Sequence, residues 1–163
     1  MYKRGQFRLS FSMIFSIILI ISIIAISVYV LLNFLSVGSC TEVGLFYDGL
    51  QNEVNKAWKS TIYKDFFDNG KLPRGIEFAC FGDLTDNYNG KHEEQFDSLS
   101  KYRNQDKNAF LYPTSEACDS KLATFELDSV EIEGFFCVPV INGKIELKME
   151  RGELDALVKI KEV

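Results

Sequence analysis

This chain of 163 residues has three prolines, one tryptophan and one histidine. With His92 alone, a Ser-His-Asp or Cys-His constellation has one place to start. His92 stands in a polar stretch and reads as a solvated loop residue. No C-x-x-C pair occurs among Cys40, Cys80, Cys118 and Cys137, which argues against a zinc ribbon or a thioredoxin-like site. There is no glycine-rich phosphate loop and no Asn-x-Ser/Thr acceptor. Acidic residues are missing before Glu42, and no charge of either sign lies between Phe11 and Leu35. Beyond that run, 15 Lys and Arg face 23 Asp and Glu, a net of −8. That balance argues against nucleic acid as a partner, because little there could displace phosphate counterions. The expectation is a protein without catalysis and without a cofactor.

What the chain does have is the apolar run, 25 residues from Phe11 to Leu35 with eight isoleucines. As a helix it rises roughly 37 Å, enough to cross a hydrocarbon core of about 30 Å with some tilt. A cleaved signal carries a shorter apolar region of about 7–15 residues. "VGSC" at Val37–Cys40 has the small-residue pattern of a lipoprotein site, but the run is too long for that class. Lys3, Arg4 and Arg8 precede the run and no positive charge follows it closely, so the N-terminus is expected in the cytoplasm. The predicted organisation is a basic leader over 1–10, a transmembrane helix over 11–35 and an extracytoplasmic α+β domain over 36–163. The lipid bilayer is then an obligatory partner. Ser12, Ser16, Ser22 and Ser27 either admit a second helix, of the same or another subunit, or bond their own i−4 carbonyls.

The cysteines agree with this orientation. All four fall on the outer side, and an even number in an oxidising space reads as two disulfides. Three pairings are open, and sequence does not choose among them.

After a break at Val37-Gly38-Ser39, the residues Val43, Phe46, Leu50, Val54, Ala57 and Trp58 recur at helical spacing. They predict an amphipathic helix over 42–59. "IEFACF", "AFLY" and "LATFEL" are strand candidates. Segment 82–108 is rich in Asn and Asp and reads as an exposed loop with one helical turn. Its Asp83, Asp86, Asn87, Asn89, Glu93 and Glu94 invite a calcium reading. Aligned on Gly90, however, the calcium-loop pattern puts Thr85 and Phe96 where acids are required. At the C-terminus "FFCVPVINGKIELKME" places Asn142-Gly143 in a hairpin turn with both central φ positive. Ile145, Leu147 and Met149 alternate with Lys144, Glu146, Lys148 and Glu150. With "DALVKI" returning, a three-stranded antiparallel meander is predicted, covered by helix 42–59. The fold class is α+β, a transmembrane helix followed by an amphipathic helix on a small antiparallel sheet.

The N-terminal "YKRGQFRLSF" and the apolar helix after it resemble the class III signal of archaeal type IV pilin-like proteins over about the first 35 residues. The resemblance implies leader cleavage between Gly5 and Gln6, and a retained helix that packs in a filament or anchors the precursor. Two positions depart from that pattern. Arg8 stands where the family often has Ser, and Ser10 where it has a Glu that pairs with a neighbouring subunit's N-terminus. Ser10 carries no charge for that pairing, and Arg8 adds repulsion. The expected function is a single-pass membrane-anchored extracytoplasmic structural or interaction protein with a pilin-like arrangement. The alternative is an anchored ligand- or protein-binding domain, using segment 82–108, with no filament role.

Overall fold

A computed structural model describes residues 11–68, 70–85 and 88–163, without the side chains of residues 33 and 35–37. The expected leader, with Gly5, Gln6, Arg8 and Ser10, lies outside the described residues, as do Asp86 and Asn87. The chain divides into two units between Ser36 and Val37.

The elements in order are α1 (Phe11–Lys59), β1 (Tyr63–Phe67), β2 (Phe78–Phe81), α2 (Glu93–Leu99), β3 (Ala109–Tyr112), β4 (Thr124–Phe125), β5 (Val130–Ile132), β6 (Phe136–Pro139), β7 (Leu147–Arg151) and β8 (Val158–Lys161). The expected break at Val37-Gly38-Ser39 is not there, because helical backbone runs through it. An interior glycine costs only about 1 kcal/mol, and no proline interrupts the segment.

The strands form two four-stranded sheets rather than one, in the orders β1-β7-β8-β5 and β4-β3-β2-β6. All pairs are antiparallel except β5 with β8. The predicted meander is half right. Met149 pairs with Ile160 across β7 and β8, but β6 leaves that sheet and pairs with β2. The Asn142-Gly143 turn is as expected, with φ of 54° and 77°. Ile141 and Lys144 exchange both backbone hydrogen bonds around it. The turn therefore hands the chain from one sheet to the other.

The pattern of apolar residues accounts for the difference between the sheets. In the first, β7 and β8 alternate. Leu147, Met149, Val158 and Ile160 are buried while Lys148, Glu150, Lys159 and Lys161 remain at least partly exposed, giving one dry face and one wet. In the second, β2 reads Phe-Ala-Cys-Phe and β3 Ala-Phe-Leu-Tyr, with no polar side chain on either face except the Tyr112 hydroxyl. Ala79, Phe81, Leu111 and Val138 point into the main core, which they share with the first sheet and with Val43, Phe46, Leu50, Val54 and Ala57 of α1. Cys80, Phe110 and Cys137 point the other way, into a second core with Leu84, Phe96, Leu99 and Tyr102. A sheet apolar on both faces needs a cover on each.

Segment 82–108 is that second cover, which corrects the reading of it as an exposed loop. Trp58 also departs from expectation. It is 44% exposed, and its indole N–H donates to the Ala156 carbonyl at 3.1 Å instead of entering the core.

Candidate functional site

The apolar segment comes first. Phe11–Leu32 is long and apolar enough to cross a membrane, and every side chain in it is exposed within this chain. Three of the four serines are already satisfied. Ser16, Ser22 and Ser27 donate to the carbonyls of Ser12, Ile18 and Ile23, each four residues back, at 2.8–2.9 Å. In hydrocarbon such bonds remove the cost of an orphaned hydroxyl. The surface left for contact is almost wholly aliphatic and aromatic.

The cysteines come next. Cys40 of α1 lies at disulfide distance from Cys118, with Cα atoms 5.1 Å apart. Cys80 and Cys137 sit directly opposite on β2 and β6, with Cα atoms 3.9 Å apart. One of the three open pairings is thereby chosen, and no cysteine is left over. Cys80 and Cys137 are fully buried in the second core, whereas Cys118 is exposed in the connection between β3 and β4.

A groove of about 620 Å³ follows the edge of β6. Pro139, Ile141 and Val163 give it an apolar wall, and Lys91 pairs with Glu162 across its rim at 3.3 Å. It adjoins a second depression of about 540 Å³, which contains Phe66 and shares Glu146 and Val163 with it. Phe66, Ile141 and Val163 are each more than half exposed. The rim carries Lys91, Lys144, Glu146 and Glu162, so the two signs balance. Neither depression places a nucleophile beside a base.

His92, expected in solvent, is only 6% exposed, and its Nε2 has no hydrogen-bond partner. Its ring packs edge-on against Phe78 of β2, at 5.8 Å between centroids. Burial, and then the adjacent Lys91, push its pKa below the ordinary value, while Glu162 pulls the other way. The signal for this second core was present in the sequence. Phe96, Leu99 and Tyr102 recur every third residue in an otherwise polar stretch, beside strands with no wet face.

Tyr47 is also buried with an unpartnered hydroxyl. It stacks on Phe125 at 4.5 Å, and burial raises its pKa. Tyr63 donates a short hydrogen bond to Glu53, which Lys56 also reaches at 2.9 Å. Together they hold the Glu53 carboxyl below its usual range.

Of the residues in the calcium reading, Asp83 accepts the Thr85 N–H in a local turn. Among the described residues no His, Cys, Asp and Glu cluster could hold a metal ion. Comparison of the chain with family models, with curated proteins and with solved structures finds no match.

Proposed function

We propose that this chain is a single-pass membrane-anchored protein that displays its α+β domain outside the cytoplasm, as a structural or interaction subunit rather than an enzyme. The observation that carries the reading is the apolar surface of Phe11–Leu32, whose side chains are all exposed among the described residues. At roughly 25 cal/mol per Å² of apolar surface, leaving so many Ile, Leu and Phe side chains in water is strongly unfavourable, and a bilayer removes that cost. Lys3, Arg4 and Arg8 before the segment, with no basic residue close after it, support an N-terminus inside. The two cysteine pairs at disulfide distance support an oxidising location for the domain.

Protease added to sealed cells tests this directly. The domain is expected to be digested without lysis, and a domain that survives until the cells are opened would refute the reading. A pilin-type role adds two expectations, a mature protein that begins at Gln6 and recovery of the chain in sheared filaments. An intact Met1 removes it. The alternative of an anchored binding domain is favoured by the groove beside β6, whose apolar wall and balanced rim suit a segment of another protein. An Ile141→Asp change, at an exposed position, is expected to leave folding intact and abolish capture of such a partner.

A further inference from the structure

The two cysteine pairs differ in exposure and in the elements they join. Cys80–Cys137 joins neighbouring strands of a sheet covered on both faces, and neither residue is exposed. Cys40–Cys118 joins α1 to the irregular connection between β3 and β4, where Ser115, Glu116, Cys118, Asp119, Ser120 and Lys121 are all exposed. Cys118 also holds a left-handed backbone, φ 71°, which L-residues disfavour and adopt only where the surroundings impose it.

Exchange proceeds by attack of a thiolate on one sulfur of the bond, so access and the quality of the leaving thiolate decide where it occurs. Access favours Cys118.

We propose that Cys40–Cys118 is a thiol-exchange site, opened by a dithiol reductant that attacks Cys118, while Cys80–Cys137 is permanent. In the first step a thiolate of the dithiol bonds to Cys118 Sγ. The bond to Cys40 Sγ breaks, and its electron pair leaves on Cys40. In the second step the other thiol of the reductant, deprotonated, attacks its own partner sulfur in the mixed disulfide and releases Cys118 as a thiolate. The reductant ends as a disulfide, oxidised by two electrons, and its two protons go to Cys40 and Cys118. Opening removes the covalent restraint on the stretch from Pro113 to Leu122, in which Ala117 is still buried in the main core. Ala123 and Thr124 stay fixed by the Leu111–Ala123 hydrogen bond and by the pairing of β4 with β3.

The test uses the full chain in detergent micelles with graded dithiothreitol, alkylation of the thiols formed, and peptide mass mapping. Cys40 and Cys118 are expected to be alkylated at least about tenfold faster than Cys80 and Cys137. Equal rates, or faster opening of Cys80–Cys137, would overturn the assignment. With excess glutathione as the probe, the mixed disulfide is expected on Cys118, and an adduct confined to Cys40 rejects the stated direction of attack. Hydrogen exchange on the partly reduced protein completes the test. Faster exchange in 113–122 with 78–81 and 136–139 unchanged is expected, and no change in 113–122 would show that the bond restrains nothing.

Discussion

His92 keeps its imidazole neutral by burial beside Phe78, with Lys91 disfavouring a second positive charge and Glu162 only partly compensating. Phe78 on β2 brings no charge of its own. The unfolded chain takes up the proton near the ordinary histidine value, about 6.5, and the folded chain resists it until lower pH. The stabilising contribution is therefore complete above about pH 6.5 and is lost as the pH falls below it. Urea midpoints measured from pH 7.5 to 5 are expected to fall on the acid side, and His92→Phe is expected to flatten that limb. Gly82 is a second residue whose identity is dictated by its place. Its φ is +128°, and a Cβ there would meet the Gly134 carbonyl and lie 2.8 Å from the Phe135 Cα. Both obstacles are backbone, so Gly82→Ala is expected to cost about 3 kcal/mol in thermal or chemical unfolding.

At the scale of elements, the stretch between the sheets is held by two side-chain amides that mimic strand pairing. Asn108 donates to the Leu127 carbonyl at 3.0 Å and accepts the Leu127 N–H at 2.7 Å. Gln51 of α1 makes the same reciprocal pair with Asp128, at 3.3 and 2.9 Å. Asn108→Ala removes two partly buried hydrogen bonds and is expected to lower stability by about 2 kcal/mol in urea titration. Leu50→Ala, in the fully buried stripe of α1, is expected to cost about 3 kcal/mol through the cavity it leaves. That stripe was readable from Val43 to Ala57 because helical periodicity declares which face is dry. The β7 alternation and the Asn-Gly turn were readable for similar local reasons. The partner of β6 was not, because local pattern does not say which strand lies across. The answer depends on Cys80 and Phe81 of β2 standing opposite Cys137 and Phe136. β1 and β5, with the short sequences Tyr-Lys-Asp-Phe-Phe and Val-Glu-Ile, carry too few residues to show a period. The polar neighbours of His92 in the chain conceal its burial, which only the two-faced apolar sheet explains.

At the scale of the whole molecule, the proposed anchoring makes the apolar segment intolerant of charge. Ile20→Arg, near the middle of Phe11–Leu32, is expected to cost about 3 kcal/mol of insertion free energy and to shift the protein from the membrane fraction. The same change leaves the sequence of the acidic domain untouched but, where insertion fails, keeps it in the reducing cytoplasm, so free thiols are expected there in place of the two disulfides. Under this reading the domains are tethered to a surface, where they collide with one another far more often than when dispersed, and an unguarded strand would invite runaway stacking. The Val140 N–H faces β2, where it reaches the Glu77 carbonyl. Two-residue alternation therefore places Pro139, which has no N–H, on the outer side of β6. At the border of the other sheet, the Asp65 carboxylate accepts the Phe66 N–H at 2.9 Å. At one rim Pro139 leaves a gap in the row of donors, and at another the Phe66 N–H is already engaged, so crowded copies meet an interrupted ladder at these two edges.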